Sequence, residues 1–195
     1  MAGFALRAGA ASLVVALALT LAGCASADTA DTRTATLATT KSPVQLLRNE
    51  AAGRIPPAVI ETVTETEDTS IACLDEDQDP DGLSRSWHSG AQVLVEDASA
   101  WRVDAVVDGV ADSFVEQGWV ARPLGGSATT RVILLSSETS PAEIELTATR
   151  PDPDASPAST AAAVDAVSIG LSVHGPCVDT DGPDSDAVKK LEGRG

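Results

Sequence analysis

Tyrosine is absent from this 195-residue chain, and aromatic residues amount to only 3%: three Trp and two Phe. A core with so few rings must rest on aliphatic side chains, and 43% of the residues are hydrophobic. Basic residues are also scarce. Thirteen Lys and Arg stand against 29 Asp and Glu, a net charge of −16. That balance excludes nucleic-acid binding, which needs a basic face to neutralise phosphates. It also argues against peripheral docking on anionic lipid, while favouring solubility and attraction of cations or basic partners. Two His are too few for a histidine-based metal site, and neither lies in an HExxH motif. No phosphate-cradling glycine loop, dinucleotide fingerprint, CxxC pair or internal repeat occurs.

Long hydrophobic runs are missing as well, with one exception near the N-terminus. The stretch Ala8 to Ala22 is apolar, follows the lone cation Arg7, and gives way to the small residues of "AGCASA". It falls short of the ~20 apolar residues a transmembrane helix needs. A positive start, an apolar middle and small residues at the end describe an export signal. An ordinary cleavable signal with an unpaired cysteine would also fit these features.

Leu21-Ala22-Gly23-Cys24 resembles the lipobox of bacterial lipoproteins, with all four positions matched. The resemblance implies cleavage before Cys24, a diacylglycerol thioether on its sulfur and an acylated new N-terminus. One acyl chain holds a protein to a bilayer only marginally, whereas two or more anchor it stably. Residues 1–23 are then the signal peptide, 24–41 a flexible tether, and 42–195 a single acidic α+β domain. After cleavage the chain carries 12 basic and 29 acidic residues, a net charge of −17. The tether reads "ASADTADTRTATLATTK" and holds too little bulky apolar surface to order itself. As a random coil of about 17 residues it would reach ~20–25 Å.

Two cysteines remain, Cys73 and Cys177. In an exported protein such a pair reads as a disulfide. The alternative, a metal or catalytic thiol, has neither the spacing nor an adjacent basic group in its favour.

Ser42-Pro43 offers a helix start, and Val44, Leu47, Ala51 and Ile55 follow at helical spacing until Gly53 and Pro56-Pro57 stop it. The acidic segment "AVIETVTETED" reads as a connector into a strand at Ser70–Leu74, and a second strand is best formed from Gln92 to Glu96. Asp97 can cap a helix over 98–117, with Val103, Val107, Val110 and Phe114 on its buried stripe, Trp101 beside them, and Gly118 at its end. Strands are expected over 119–122, 130–136, 143–149 and 167–173, and a short helix after Pro183. Short turns between alternating strands require antiparallel pairing. The expected fold is therefore α+β: a single antiparallel sheet of about five to six strands, two helices packed on one face, and one disulfide.

This layout also resembles a loose group of small actinobacterial surface lipoproteins, through the lipobox, the tether, "IACL", "RSWHSG", a helix ending in "QGW" and a late Cys after "SVHGPC". The resemblance spans most of residues 43–180 and implies location and fold, with no activity attached.

Three constellations could carry chemistry. Asp77, Asp79 and Asp81 spell D-x-D-x-D-G, the opening of a calcium loop. The twelfth position is His88 where an EF-hand needs Glu, and strands rather than helices flank the loop. It reads as an isolated carboxylate loop with weak calcium affinity, or as a solvated acidic turn. A second cluster, Asp179, Asp181, Asp184 and Asp186, would approach it if the disulfide forms. Trp87 and His88 could line a ligand groove, or Trp87 could be a core anchor. "GLSVHG" from Gly170 to Gly175 brings to mind a nucleophile elbow, but its second Gly falls one place late and the segment reads as a strand. Ser172 and His174 would share that strand's outer face.

The sequence thus points to a membrane-anchored extracytoplasmic lipoprotein: a non-enzymatic binding or accessory module of the cell envelope. The alternatives are an envelope enzyme with an unrecognised site, a weak calcium-binding surface module, or a spacer. No cofactor beyond weakly bound calcium is expected. The expected partners are the membrane, through the lipid on Cys24, and an envelope protein or glycan.

Overall fold

The computed structural model describes residues 35–96, 102–150 and 167–194. The lipobox with Cys24, and Asp97 and Trp101, lie outside the described residues. The first helix, α1, runs Leu37–Gly53, not from Ser42. Its start is fixed by a reciprocal cap. Thr36 Oγ1 accepts from the Thr39 backbone N–H at 3.3 Å, and Thr39 Oγ1 accepts from the Thr36 N–H at 2.9 Å. Pro43 consequently sits inside the helix, where it offers no N–H to the carbonyl four residues back. Burial of Leu37, Thr40, Val44 and Ala51 along one face outweighs that loss.

A 3-10 turn at Pro57–Val59 leads into β1, Ile60–Ala72, which pairs along its length with β2, Ser84–Val95. The expected connector "AVIETVTETED" is thus mostly strand. Its acidic residues are tolerated because β1 is an edge, where charge on the open side also discourages pairing with other chains. Helix α2, Val103–Val115, buries Val103, Val106, Val107, Val110, Ala111 and Phe114. The chain continues through β3 (Val120–Gly126), β4 (Thr130–Ser137), β5 (Ser140–Thr149), β6 (Ser168–His174), a two-residue β7 (Val178–Asp179) and the short helix α3 (Asp186–Leu191).

These strands form one seven-stranded antiparallel sheet in the order β1-β2-β6-β5-β4-β3, with β7 beside β2. The α+β architecture is as expected, with one more strand at the C-terminal end. Alternation decides the faces. Trp87 and Val93 of β2, Leu135 of β4, Ile144 and Leu146 of β5, and Ile169 and Val173 of β6 point to one side and are completely buried. Helices α1 and α2 lie over that side. Arg54 at the end of α1 places its guanidinium 3.6 Å from the Phe114 ring centroid and donates to Ser113 Oγ at 2.9 Å, locking the helices together. Gly175 lets α1 approach closely: a Cβ there would meet Val44 Cγ2 at 3.0 Å.

The Cys73–Cys177 disulfide is present and spans 104 residues, joining the end of β1 to the segment entering β7. Nearby, the buried Arg85 donates to Ser70 Oγ at 2.9 Å and to the Ser70 carbonyl at 2.7 Å. No helix among the described residues is long and apolar enough to cross a membrane.

Candidate functional site

The helices α1 and α2 pack on one face of the sheet, and among the described residues the centre of the other face is polar. Three central strands meet there in fixed register. His88 of β2 pairs with His174 of β6, Gly90 with Ser172 and Gln92 with Gly170; on the other side of β6, Glu143 and Glu145 of β5 oppose His174 and Ser172. Paired residues in an antiparallel ladder point to the same face. The two imidazoles therefore lie side by side, with ring centroids 4.7 Å apart and planes inclined by 28°.

Ser172 Oγ stands between them, 2.7 Å from His88 Nε2 and 2.9 Å from His174 Nε2. On the far side of His88, Nδ1 lies 3.2 Å from Glu67 Oε2 of β1, within ion-pair distance but without hydrogen-bond alignment. A hydroxyl has a single proton, so it can donate to only one of the two rings and must accept from the other. The carboxylate beside His88 Nδ1 favours the tautomer with its proton on that nitrogen. With the proton on His88 Nδ1, His88 Nε2 accepts from Ser172 and His174 Nε2 donates to it. The order is Glu67, His88, Ser172, His174, a directed chain across three strands. Burial lowers the pKa of His174 and the neighbouring His88 adds to that, against the opposing pull of Glu145, Glu143 and Glu67.

Beside the chain is a shallow depression of about 290 Å³, lined by His88, Gly90, Gln92, Thr147, Gly170 and Ser172. It exists because two diagonally neighbouring positions, Gly90 and Gly170, carry no side chain. A Cβ on Gly170 would lie 3.5 Å from Thr147 Cβ, an ordinary contact that would fill the floor without strain.

Trp87 is a correction to the expected groove. It sits on the opposite face from His88 and is fully buried, with its indole N–H donating to Asp68 Oδ1 at 2.8 Å and Lys41 Nζ 4.4 Å above its ring. It is a core anchor, and His88 alone reaches the depression. The acidic loop also differs from a cation cage. Asp79 Oδ2 accepts from the Ser84 backbone N–H at 2.7 Å, and backbone donors at Ser84 and Leu83 hold its pKa below the usual value. Among the described residues no group of three or more His, Cys, Asp or Glu is placed to hold a metal ion, so Asp77, Asp79 and Asp81 do not converge as their spacing suggested.

Ser172 and His174 do share the outer face, as alternation implied. Glu67, and the meeting of His88 with Ser172, were not legible. The alternation of "RSWHSG" and "GLSVHG" gives each residue a face, but only the β2–β6 register, set by chain segments 84 residues apart, brings them together. A second hollow, of about 470 Å³, runs along α1 beside Leu46, Leu47, Pro141 and Pro176. Its lining is mostly apolar, with Glu50 as its one carboxylate among the lining residues.

The chain matches no protein-family model and no curated protein. Among solved structures it aligns with the presumed lipoprotein LppA from Mycobacterium tuberculosis. That alignment has 12% identity, covers 80% of this chain and 78% of the other, and gives a TM-score of 0.31. A likeness of that size carries no argument about function.

Proposed function

We propose that this chain is a lipid-anchored protein of the extracytoplasmic face of the cell membrane, held by the lipid on Cys24, which binds an envelope protein or glycan through the open face of its sheet. The lipobox "LAGC" supports the anchor. The disulfide supports an oxidising compartment. The observation that carries the binding role is the polar depression beside Ser172, on the face opposite the described helices. Polar groups gathered around a concavity are what a small or extended ligand requires.

Site-specific photo-crosslinking in the native membrane tests this. A photoreactive side chain at Gln92, within the depression, should give a discrete adduct. The same group at Glu116, exposed at the end of α2, should not. Identical patterns from both positions, or no adduct from Gln92, would overturn the reading.

A further inference from the structure

The polar chain on the open face has the connectivity of a nucleophile, a base and a group orienting the base. We propose that Ser172 is an activated nucleophile for short acyl esters, with His88 as its general base and Glu67 holding the base in the required tautomer. This goes beyond binding and needs only the same face of the sheet.

The geometry comes first. Ser172 Oγ lies 2.7 Å from His88 Nε2, and His88 Nδ1 lies 3.2 Å from Glu67 Oε2. Nucleophile–base hydrogen bonding and a third group aligning the base are the two requirements for activating a hydroxyl near neutral pH. The three residues stand on adjacent strands β6, β2 and β1, so the ladder fixes their separation. His88 is only 9% exposed, which limits the water competing for its ring nitrogens.

The surroundings supply the other two needs. Space for an acyl group is the depression over Gly90 and Gly170, directly beside Ser172. Its volume of about 290 Å³ and its shallow form suit a short chain rather than a long one. Donors for a developing oxyanion must come from side chains here, because backbone N–H groups in a central strand are committed to the ladder. His174 Nε2, which donates to Ser172 Oγ at rest, is released to serve as one when Oγ bonds to the acyl carbon. It lies 2.9 Å from Ser172 Oγ and carries its proton in the tautomer pattern derived above. Thr147 and Gln92 border the same hollow with a hydroxyl and an amide.

The step balances without a cofactor. Ser172 Oγ bonds to the acyl carbon as its proton passes to His88 Nε2, and Glu67 stabilises the imidazolium. Collapse of the tetrahedral intermediate breaks the bond from the acyl carbon to the alcohol oxygen, and the departing alcohol takes the proton from His88. Water, deprotonated by the same imidazole, then releases the carboxylic acid and restores Ser172.

A fluorophosphonate probe tests the proposal on the full mature chain in detergent. One covalent adduct should form, map to Ser172 by mass spectrometry, and vanish in Ser172→Ala. Glu67→Gln, at a half-exposed position on the edge strand, should slow labelling at least tenfold. Glu116→Gln, at an exposed position at the end of α2 and away from the depression, should leave the rate within about twofold. The native protein should also hydrolyse p-nitrophenyl acetate faster than Ser172→Ala does. No adduct on the folded native chain, an adduct surviving in Ser172→Ala, or equal rates in Glu67→Gln and native protein would each overturn it. Crosslinking at Gln92 without fluorophosphonate labelling would leave the binding role standing and remove this one.

Discussion

Glu192, just past α3, holds Ser70 on β1 from 122 residues away. Its Oε1 accepts from the Ser70 backbone N–H at 2.9 Å and from Ser70 Oγ at 2.6 Å, and Thr69 Oγ1 donates to it at 2.9 Å. The C-terminal segment is thereby tied to the outer strand by one carboxylate whose side chain is 4% exposed.

Glu192 makes stability depend on acid. Burial alone would raise its pKa, but the donors from Ser70, Thr69 and Arg194 overcome that and hold it at about 2, against an ordinary 4.5. A carboxylate with a folded pKa below its unfolded one adds stability above the unfolded value and loses it as pH falls through the folded value. Urea midpoints should therefore decline between pH 4.5 and pH 2. Glu192→Gln should cost roughly 1–3 kcal/mol at pH 7 and flatten that decline. An undiminished acid response in the variant would show that other carboxylates cause it.

His174 acts at milder pH and in the same direction. Its folded pKa lies below the ordinary 6.5. The unfolded chain therefore binds the proton first, and stability falls as pH drops below about 6.5. By NMR titration, His174 should titrate below the ordinary histidine value. Glu145→Gln should lower it further, because that carboxylate pulls the pKa upward. A rise in Glu145→Gln would contradict the arrangement of charges on the open face.

The disulfide closes a loop of 104 residues. Replacing both cysteines in Cys73→Ser/Cys177→Ser should cost about 2–4 kcal/mol, below the full chain-entropy value. The loss should appear as a lower melting temperature in calorimetry. Equal melting of native and variant protein would mean that the hydrogen bonds around Ser70 hold this end unaided.

Cys24→Ala tests the anchor. The variant should accumulate as uncut precursor or appear in the culture fluid, and lose its shift into detergent on phase separation. A processed variant still retained in the membrane would refute attachment through Cys24.

Residues with strong alternation were the most legible. The buried faces of β5 and β6 could be read from "EIELTAT" and "VSIGLSV", because period-two patterning and burial agree there. β1 was obscure for the opposite reason: its Glu, Thr and Asp residues lie on an edge, where solvated charge masks the strand pattern. The start of α1 was missed because Ser42-Pro43 is a stronger local signal than Thr36, and the choice between them is made by burial of Leu37 and Thr40 against the sheet. Trp87 and His88, read together as one groove, part onto opposite faces because β2 is extended through them. The site needed the pairing of β2 with β6, which no local pattern contains.

The place of β6 has a consequence for how the chain comes together. It is the strand at the middle of the sheet, between β2 and β5, yet it is supplied by residues 168–174, after most of the domain. A chain emerging N-terminus first can form the β1–β2 hairpin and the β3–β4–β5 meander early, since both are contiguous in sequence. Until β6 arrives, each half presents an unpaired interior edge, the kind that recruits other chains. Insertion of β6 closes both edges in one event, and Cys177 follows only three residues behind it. The disulfide is thus available only when the sheet is ready to be whole, so oxidation seals a finished assembly and not a half-built one.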